Sequence, residues 1–226
     1  MNRGPRAMNV LATVVRKTIE IVLPAYCVGC GAGRSYLCER CVAHAGAAGP
    51  VDINVSELTL DSAVAAFAHT GVARTAVHRL KYTGLRAIAP LMAAPMARVL
   101  RSDLAGYTLV PVPLHPKRFR ERGFNQAALL ASGVGALTAM TVNGGLLRGL
   151  LRRRTQLGHQ ADSANSRLDR RANVVGAFEA DRDADGMDIV LVDDVVTTGS
   201  TMGSAARELL RAGARSVRGL AFSHER

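Results

Sequence analysis

The stretch Leu191-Val192-Asp193-Asp194-Val195-Val196-Thr197-Thr198-Gly199-Ser200-Thr201 decides how the rest of the chain is read. Just before it, Asp188 to Val192 is a short apolar run rich in β-branched residues, the composition of a strand buried on both faces. Asp193 to Ser200 is polar and carries a glycine, so it reads as a loop. Thr201 to Ala212 has helical spacing, with Ala205, Leu209 and Leu210 on one side, and Gly213 supplies a stop. Ser216 to Phe222 is the next strand. Strand, crossover helix and strand imply a parallel sheet with helices on its faces. Ligands of open α/β sheets bind beyond the carboxyl ends of strands, which is where Asp193 and Asp194 fall. N–H groups opening a helix, lined by small hydroxyls, suit a phosphate. Gly199 permits close backbone approach, and Thr201 can cap the helix or bond the phosphate. The two carboxylates are acceptors, suited to sugar hydroxyls or a hard divalent ion. Phosphate and hydroxyl acceptors side by side describe a site for ribose 5-phosphate. A nucleotide P-loop is excluded, because no G-x-x-x-x-G-K-[ST] occurs.

Upstream the pattern repeats. Thr108 to Pro113 reads as another buried strand, His115 to Gly123 as a basic loop, and Asn125 to Ala139 as a helix. The whole is α/β, a parallel sheet flanked by helices. Two basic segments offer charge for a second anionic group. Arg79-Leu80-Lys81-Tyr82-Thr83-Gly84 is a short polar turn with one lysine; its alternative is a surface cation after a helix. In the second, Arg118 and Arg122 lie four apart and share one face if the stretch is helical; the alternative is a solvated charge run. Arg152, Arg153 and Arg154 form the densest basic cluster, either solvated or tracking a phosphate backbone.

All four cysteines lie between Cys27 and Cys41, as Cys27-x2-Cys30 and Cys38-x2-Cys41. Two paired thiols on tight turns, with Gly29 and Gly31 supplying the bend, can close a tetrahedral Zn²⁺ site that is structural rather than catalytic. The short interval requires a compact lobe whose folding energy comes from the metal. Disulfides, the competing reading, need an oxidising compartment. His44 could replace one cysteine, against the plainer reading of a surface histidine.

The formal net charge is +11 over 226 residues. Such a charge favours anionic partners, whether nucleic acid, a polyphosphate or an acidic protein. Aromatic residues are only 4% of the chain, so a stacking pocket has few candidates; Phe119, Phe124 and Phe178 are the ones to inspect. No apolar run reaches the about 18 residues of a membrane span. Arg16, Lys17 and Glu20 interrupt the N-terminal apolar stretch, which excludes an export signal and points to the cytoplasm. There Leu11, Val15, Ile19 and Val22 share one helical face, which packs on the body or lies on a membrane surface. The expected organisation is an N-terminal amphipathic helix within 1–26, a zinc module and connector over 27–60, and the α/β domain over 61–226.

The ordered set of segments "LKYTG", "VPVPLHPKRFRERGFNQA", "RRRTQLGHQ", "RRANVVGAF" and "VLVDDVVTTGST", downstream of the cysteines, resembles the competence protein F (ComF) family, on a type I phosphoribosyltransferase fold. The spacing from Thr155 to Asn173 is looser, so Gln160, Arg167 and Arg171 carry little weight as ligands. The resemblance implies binding of phosphoribosyl pyrophosphate (PRPP). Asp193 and Asp194 would hold the ribose hydroxyls and form the catalytic pair. Thr197, Thr198, Gly199, Ser200 and Thr201 would wrap the 5′-phosphate. Lys81, Arg118 and Arg122 would face the pyrophosphate, with Mg²⁺. It further implies a role in uptake or processing of single-stranded DNA beside a helicase partner. The alternative is an active phosphoribosyltransferase that uses a nucleobase or other nitrogen nucleophile.

Overall fold

The computed structural model describes residues 25–55, 58–100, 102–104, 106–144, 149–154 and 176–225. The amphipathic stretch 8–24 and the segment from Thr155 to Asn173, with Gln160, Arg167 and Arg171, lie outside the described residues.

The cysteine lobe ends in a short helix, α1 (Glu39–Ala45). The chain then makes β1 (Val51–Asp52), β2 (Ser62–Ala68), α2 (Gly71–Tyr82), α3 (Ala89–Val99) and β3 (Thr108–Pro111). Next come α4 (Pro116–Arg122), α5 (Gln126–Thr138), β4 (Leu151–Arg153) and β5 (Phe178–Ala180), then β6 (Asp188–Val196), α6 (Ser200–Arg211) and β7 (Ser216–His224). Five strands form one sheet in the order β1-β2-β7-β6-β3. β2, β7, β6 and β3 run parallel, and only β1 is antiparallel. β4 and β5 make a separate antiparallel ribbon.

Strand alternation divides the apolar residues between two cores. Val190 and Val192 of β6 point to one face, covered by α2, α3 and α5 through Leu80, Met92, Met96 and Leu130. Ile189 and Leu191 point to the other, covered by α6 and the β4–β5 ribbon through Met202, Leu209 and Phe178. This is the sheet with helices on both faces that alternating strand and helix patterns require. At the β3 edge, Leu109 N–H donates to Thr141 O at 2.8 Å and Asn143 N–H donates to Leu109 O at 2.9 Å, so Thr141 to Asn143 runs alongside as a short extra rung.

The element pattern read from the sequence stands, with three differences. β6 does not stop at Val192. β7 continues to His224 beside it, so the ladder carries on through Asp193↔Ala221 to Val196↔His224. The basic loop after β3 is helical: Pro116 sits at the first turn, where its missing N–H costs nothing. His115 Nδ1 accepts from Lys117 N–H at 3.2 Å, and Gly123, at φ +73°, closes the helix. Lys81 belongs to the last turn of α2 rather than to a free turn.

Candidate functional site

The acidic pair lies at the carboxyl end of the central strand β6. Asp193 Oδ1 accepts from Asp194 N–H at 2.8 Å, and Asp194 Oδ1 accepts from Val195 N–H at 2.9 Å. Each carboxylate is therefore drawn toward the end of the strand, yet alternation sends the two side chains to opposite faces. Asp194, only 2% exposed, points to the α2 face, where Lys81 Nζ lies 2.9 Å from its Oδ2. Asp193 points to the α6 and ribbon face. Desolvation of its carboxylate, then the charge of Asp194, hold it well above the usual carboxylate range, against the pull of Lys81.

The loop beyond is shaped for close approach. Thr197 and Thr198 are exposed. Thr198 Oγ1 and Ser200 Oγ are 2.8 Å apart. Gly199 has φ +74°, a conformation glycine adopts without strain, and a Cβ there would lie 2.5 Å from Leu58 Cδ1. Leu58, from the segment between β1 and β2, therefore presses on the start of α6. Gly199 has no side chain with which to cap α6, and Ser200 N–H, the first of the helix, donates to Thr198 Oγ1 at 3.4 Å.

The two basic segments meet each other. The Arg122 guanidinium lies 5.4 Å from the Tyr82 ring centroid and Nη1 donates to Gln126 Oε1 at 3.2 Å. Arg86 lies over Phe124 at 4.5 Å and reaches Gly123 O at 3.4 Å. Arg118 is exposed on α4. Of the predicted cations only Lys81 touches the acidic pair among the described residues.

Arg153 stands apart from its neighbours in the basic cluster. β4 is a strand, so alternation splits the three arginines. Arg152 pairs with Asp181 at 3.4 Å and Arg154 with Glu179 at 3.6 Å, both on the exposed side. Arg153 turns inward, over the Phe178 ring at 5.1 Å. Burial, followed by the charge of Arg118, lowers its pKa, and Asp193 opposes that shift. A half-buried guanidinium that feels both another arginine and an acid is a ready anion partner. The period-two strand pattern is the available signal, masked by three consecutive identical residues. His69, at the end of β2, has no motif to mark it in the sequence; its Nδ1 lies 2.8 Å from Ser223 Oγ, and burial lowers its pKa.

In the cysteine lobe the four Sγ atoms lie within 4.8 Å of one another. Cys30 and Cys38 Sγ are 3.7 Å apart, close to the about 3.8 Å edge of a tetrahedron with Zn–S bonds of about 2.3 Å. No disulfide joins them. Burial raises the Cys27 thiol, but N–H groups of Cys38, Cys30 and Gly29 together outweigh it and bring it to about 6. Burial and the neighbouring sulfurs push Cys41 up to about 12. Four thiols this close cannot all ionise without a cation, so the donor set fits a metal such as zinc. Gly31, at φ +73°, makes the turn as expected. Gly29 serves close approach instead: a Cβ there would lie 2.6 Å from Val72 Cγ2 and 2.9 Å from Cys41 Sγ.

A strand ending in two acids, a hydroxyl-lined loop and a helix, at the carboxyl edge of a parallel sheet, define a protein of the phosphoribosyltransferase-like class. The phosphoribosyl transferase domain family matches residues 139–224. DNA utilization protein YhgH of Salmonella typhi is 35% identical over 151 residues, covering 62% of each chain. Competence protein ComFC of Bacillus subtilis is 36% identical over 107 residues, covering 47% of this chain and 40% of that protein. Competence protein F of Haemophilus influenzae is 31% identical over 112 residues, covering 48% and 46%. Over these spans the chain is similar to proteins of the ComF type. It spans between 40% and 62% of the length of these relatives. The solved structure of the allosteric regulatory enzyme of purine biosynthesis aligns with 61% of this chain and 26% of that one, at 18% identity and a TM-score of 0.40. No helix among the described residues is long and apolar enough to cross a membrane.

Asp193 carries a stability prediction. Its pKa is raised in the fold, so its contribution is fully present below the unfolded value of about 3.9 and is lost as pH rises through the folded value. Asp193→Asn keeps an acceptor for Asp194 N–H and removes that loss. Thermal melts are expected to show it more stable than the parent at pH 7, by at least about 1 kcal/mol, with the two converging near pH 4.

Proposed function

We propose that this chain binds PRPP at the carboxyl end of β6 and works in the handling of single-stranded DNA. The observation that carries this reading is the acidic pair followed by exposed Thr197 and Thr198 and the glycine-led first turn of α6. In this reading Asp193 and Asp194 take the ribose hydroxyls, and Thr197, Thr198, Gly199, Ser200 and Thr201 surround the 5′-phosphate with N–H and O–H donors. Lys81, Arg118, Arg122 and the inward Arg153 supply positive charge for the pyrophosphate. Mg²⁺, held by the pyrophosphate, would neutralise it further. The cysteine lobe holds Zn²⁺ as a structural ion.

Phe124 is covered by Arg86 and Phe178 by Arg153, which leaves Phe119 as the ring, of the three singled out, with an open face for a base. The DNA role is supported by what the relatives are called, DNA utilization and competence proteins, and by the charge of +11. The family resemblance adds a helicase partner.

Calorimetry tests the pocket. With Mg²⁺ present, PRPP is expected to bind at least tenfold more tightly than ribose 5-phosphate or pyrophosphate alone, since the pocket grips both ends. A PRPP Kd of about 1 mM or weaker would end the reading.

A further inference from the structure

We propose that a second pocket, outside the edge strand β3, receives one nucleotide unit, with its base against Phe119 and its phosphate on Arg120. The pocket measures about 390 Å³, within the about 300–1,000 Å³ of small-ligand sites. Its walls are Pro111, Pro113, Leu114, Pro116 and Phe119, with Arg120 and Arg152 among the residues that line it. These are flat, apolar surfaces beside guanidinium groups.

The surroundings of the rings single out Phe119. The chain has five phenylalanines. Phe67 and Phe222 pack edge to face at 5.2 Å, and Phe124 and Phe178 each carry a guanidinium. Phe119 is half-buried, lines the pocket, and has no ring or cation on its face among the described residues. Arg120, exposed beside it, makes no ion pair among the described residues. A half-buried aromatic face bordered by unengaged positive charge suits a heterocycle that carries an anion. Arg153 also lines the pocket, and it is one of the cations proposed above for the pyrophosphate. This deepens the DNA-handling reading and is independent of whether PRPP binds.

The test uses the full zinc-loaded chain. Labelled oligo(dT) is followed by fluorescence anisotropy across a salt series, and dTMP by calorimetry. Phe119→Ala is expected to weaken binding by about 5- to 150-fold, the range for one stacked base, while Phe119→Trp retains it and PRPP binding is unchanged. Arg120→Ala, at an exposed position, is expected to weaken oligonucleotide binding and lower the salt slope by about 1. Loss confined to oligo(dT) identifies a strand as the source of the unit. Loss confined to dTMP identifies a free nucleotide. Either supports the pocket. The proposal is overturned if the wild type binds neither ligand at low salt, or if a folded Phe119→Ala binds both as the wild type does. Should Phe119→Ala fold poorly, Arg120→Ala with wild-type affinity and salt slope overturns it equally. A PRPP result of either sign leaves this outcome standing on its own.

Discussion

Stripping the metal from the cysteine lobe, or replacing Cys30 by serine, is expected to lower the melting temperature by about 10 °C or more. The lobe has almost no core of its own. Its helix α1 contains no buried residue, and Cys27 and Leu37 are the buried apolar groups between Ala25 and Ala45. What order it has comes from the four sulfurs and from docking on the body, where Gly29 lies against Val72, and Val28, Tyr36 and Val42 pack on the core that includes Phe67 and Val77. Losing the ion leaves Cys27 and Cys41 wanting opposite protonation states at close range, so the lobe should open and expose that contact. Differential scanning fluorimetry before and after chelation, with metal analysis of freshly purified protein, reads the effect. A purified chain without zinc, or one whose melting point ignores verified metal loss, would refute it.

The second large effect concerns the ion pair of Lys81 and Asp194. Lys81→Met strands a carboxylate that is 2% exposed, and removing one partner of a buried pair costs about 3–5 kcal/mol. The orphaned Asp194 carboxylate would be left buried without its cation. The double variant Lys81→Met/Asp194→Leu buries neither charge and should regain most of the loss. If the proposed PRPP reading holds, neither variant should bind PRPP, because in that reading Asp194 takes a sugar hydroxyl and Lys81 faces the pyrophosphate. Urea melts between pH 4 and pH 8, run beside the calorimetry, separate the two consequences. A Lys81→Met protein as stable as the parent at pH 8 would show that the pair is not what satisfies Asp194.

The central unit from Asp188 to Phe222 is legible in the sequence because each of its signals is local. A β-branched run, a polar loop with a glycine and a helical apolar face succeed one another within one crossover. The Cys-x2-Cys pairs are legible for the same reason. What the sequence conceals comes from partners distant along the chain. β6 runs on to Val196 because β7 is there to pair with it, and the strand preference of Val195 and Val196 is masked by the two aspartates that interrupt the apolar run. The segment from Pro116 to Arg122 has too little apolar residue for a helical stripe, so its helix is betrayed only by its ends, Pro116 and Gly123. Arg152 to Arg154 looks like one charge patch until a strand sorts the three by parity. Lys81 reads from the sequence as a cation for an anionic group, but the buried acid it contacts, Asp194, is remote along the chain and no local pattern couples the two.

The borders of the main sheet limit how a partner can attach. On one side Thr141 to Asn143 already occupies the hydrogen-bonding groups of Leu109. On the other, β1 is a two-residue strand. Extending the sheet by a borrowed strand needs a long run of vacant N–H and C=O groups, and neither border provides one. At this sheet, among the described residues, recruitment of another protein therefore falls to side chains rather than to a shared backbone ladder. It should be sensitive to surface point substitutions and indifferent to peptides that mimic extended backbone.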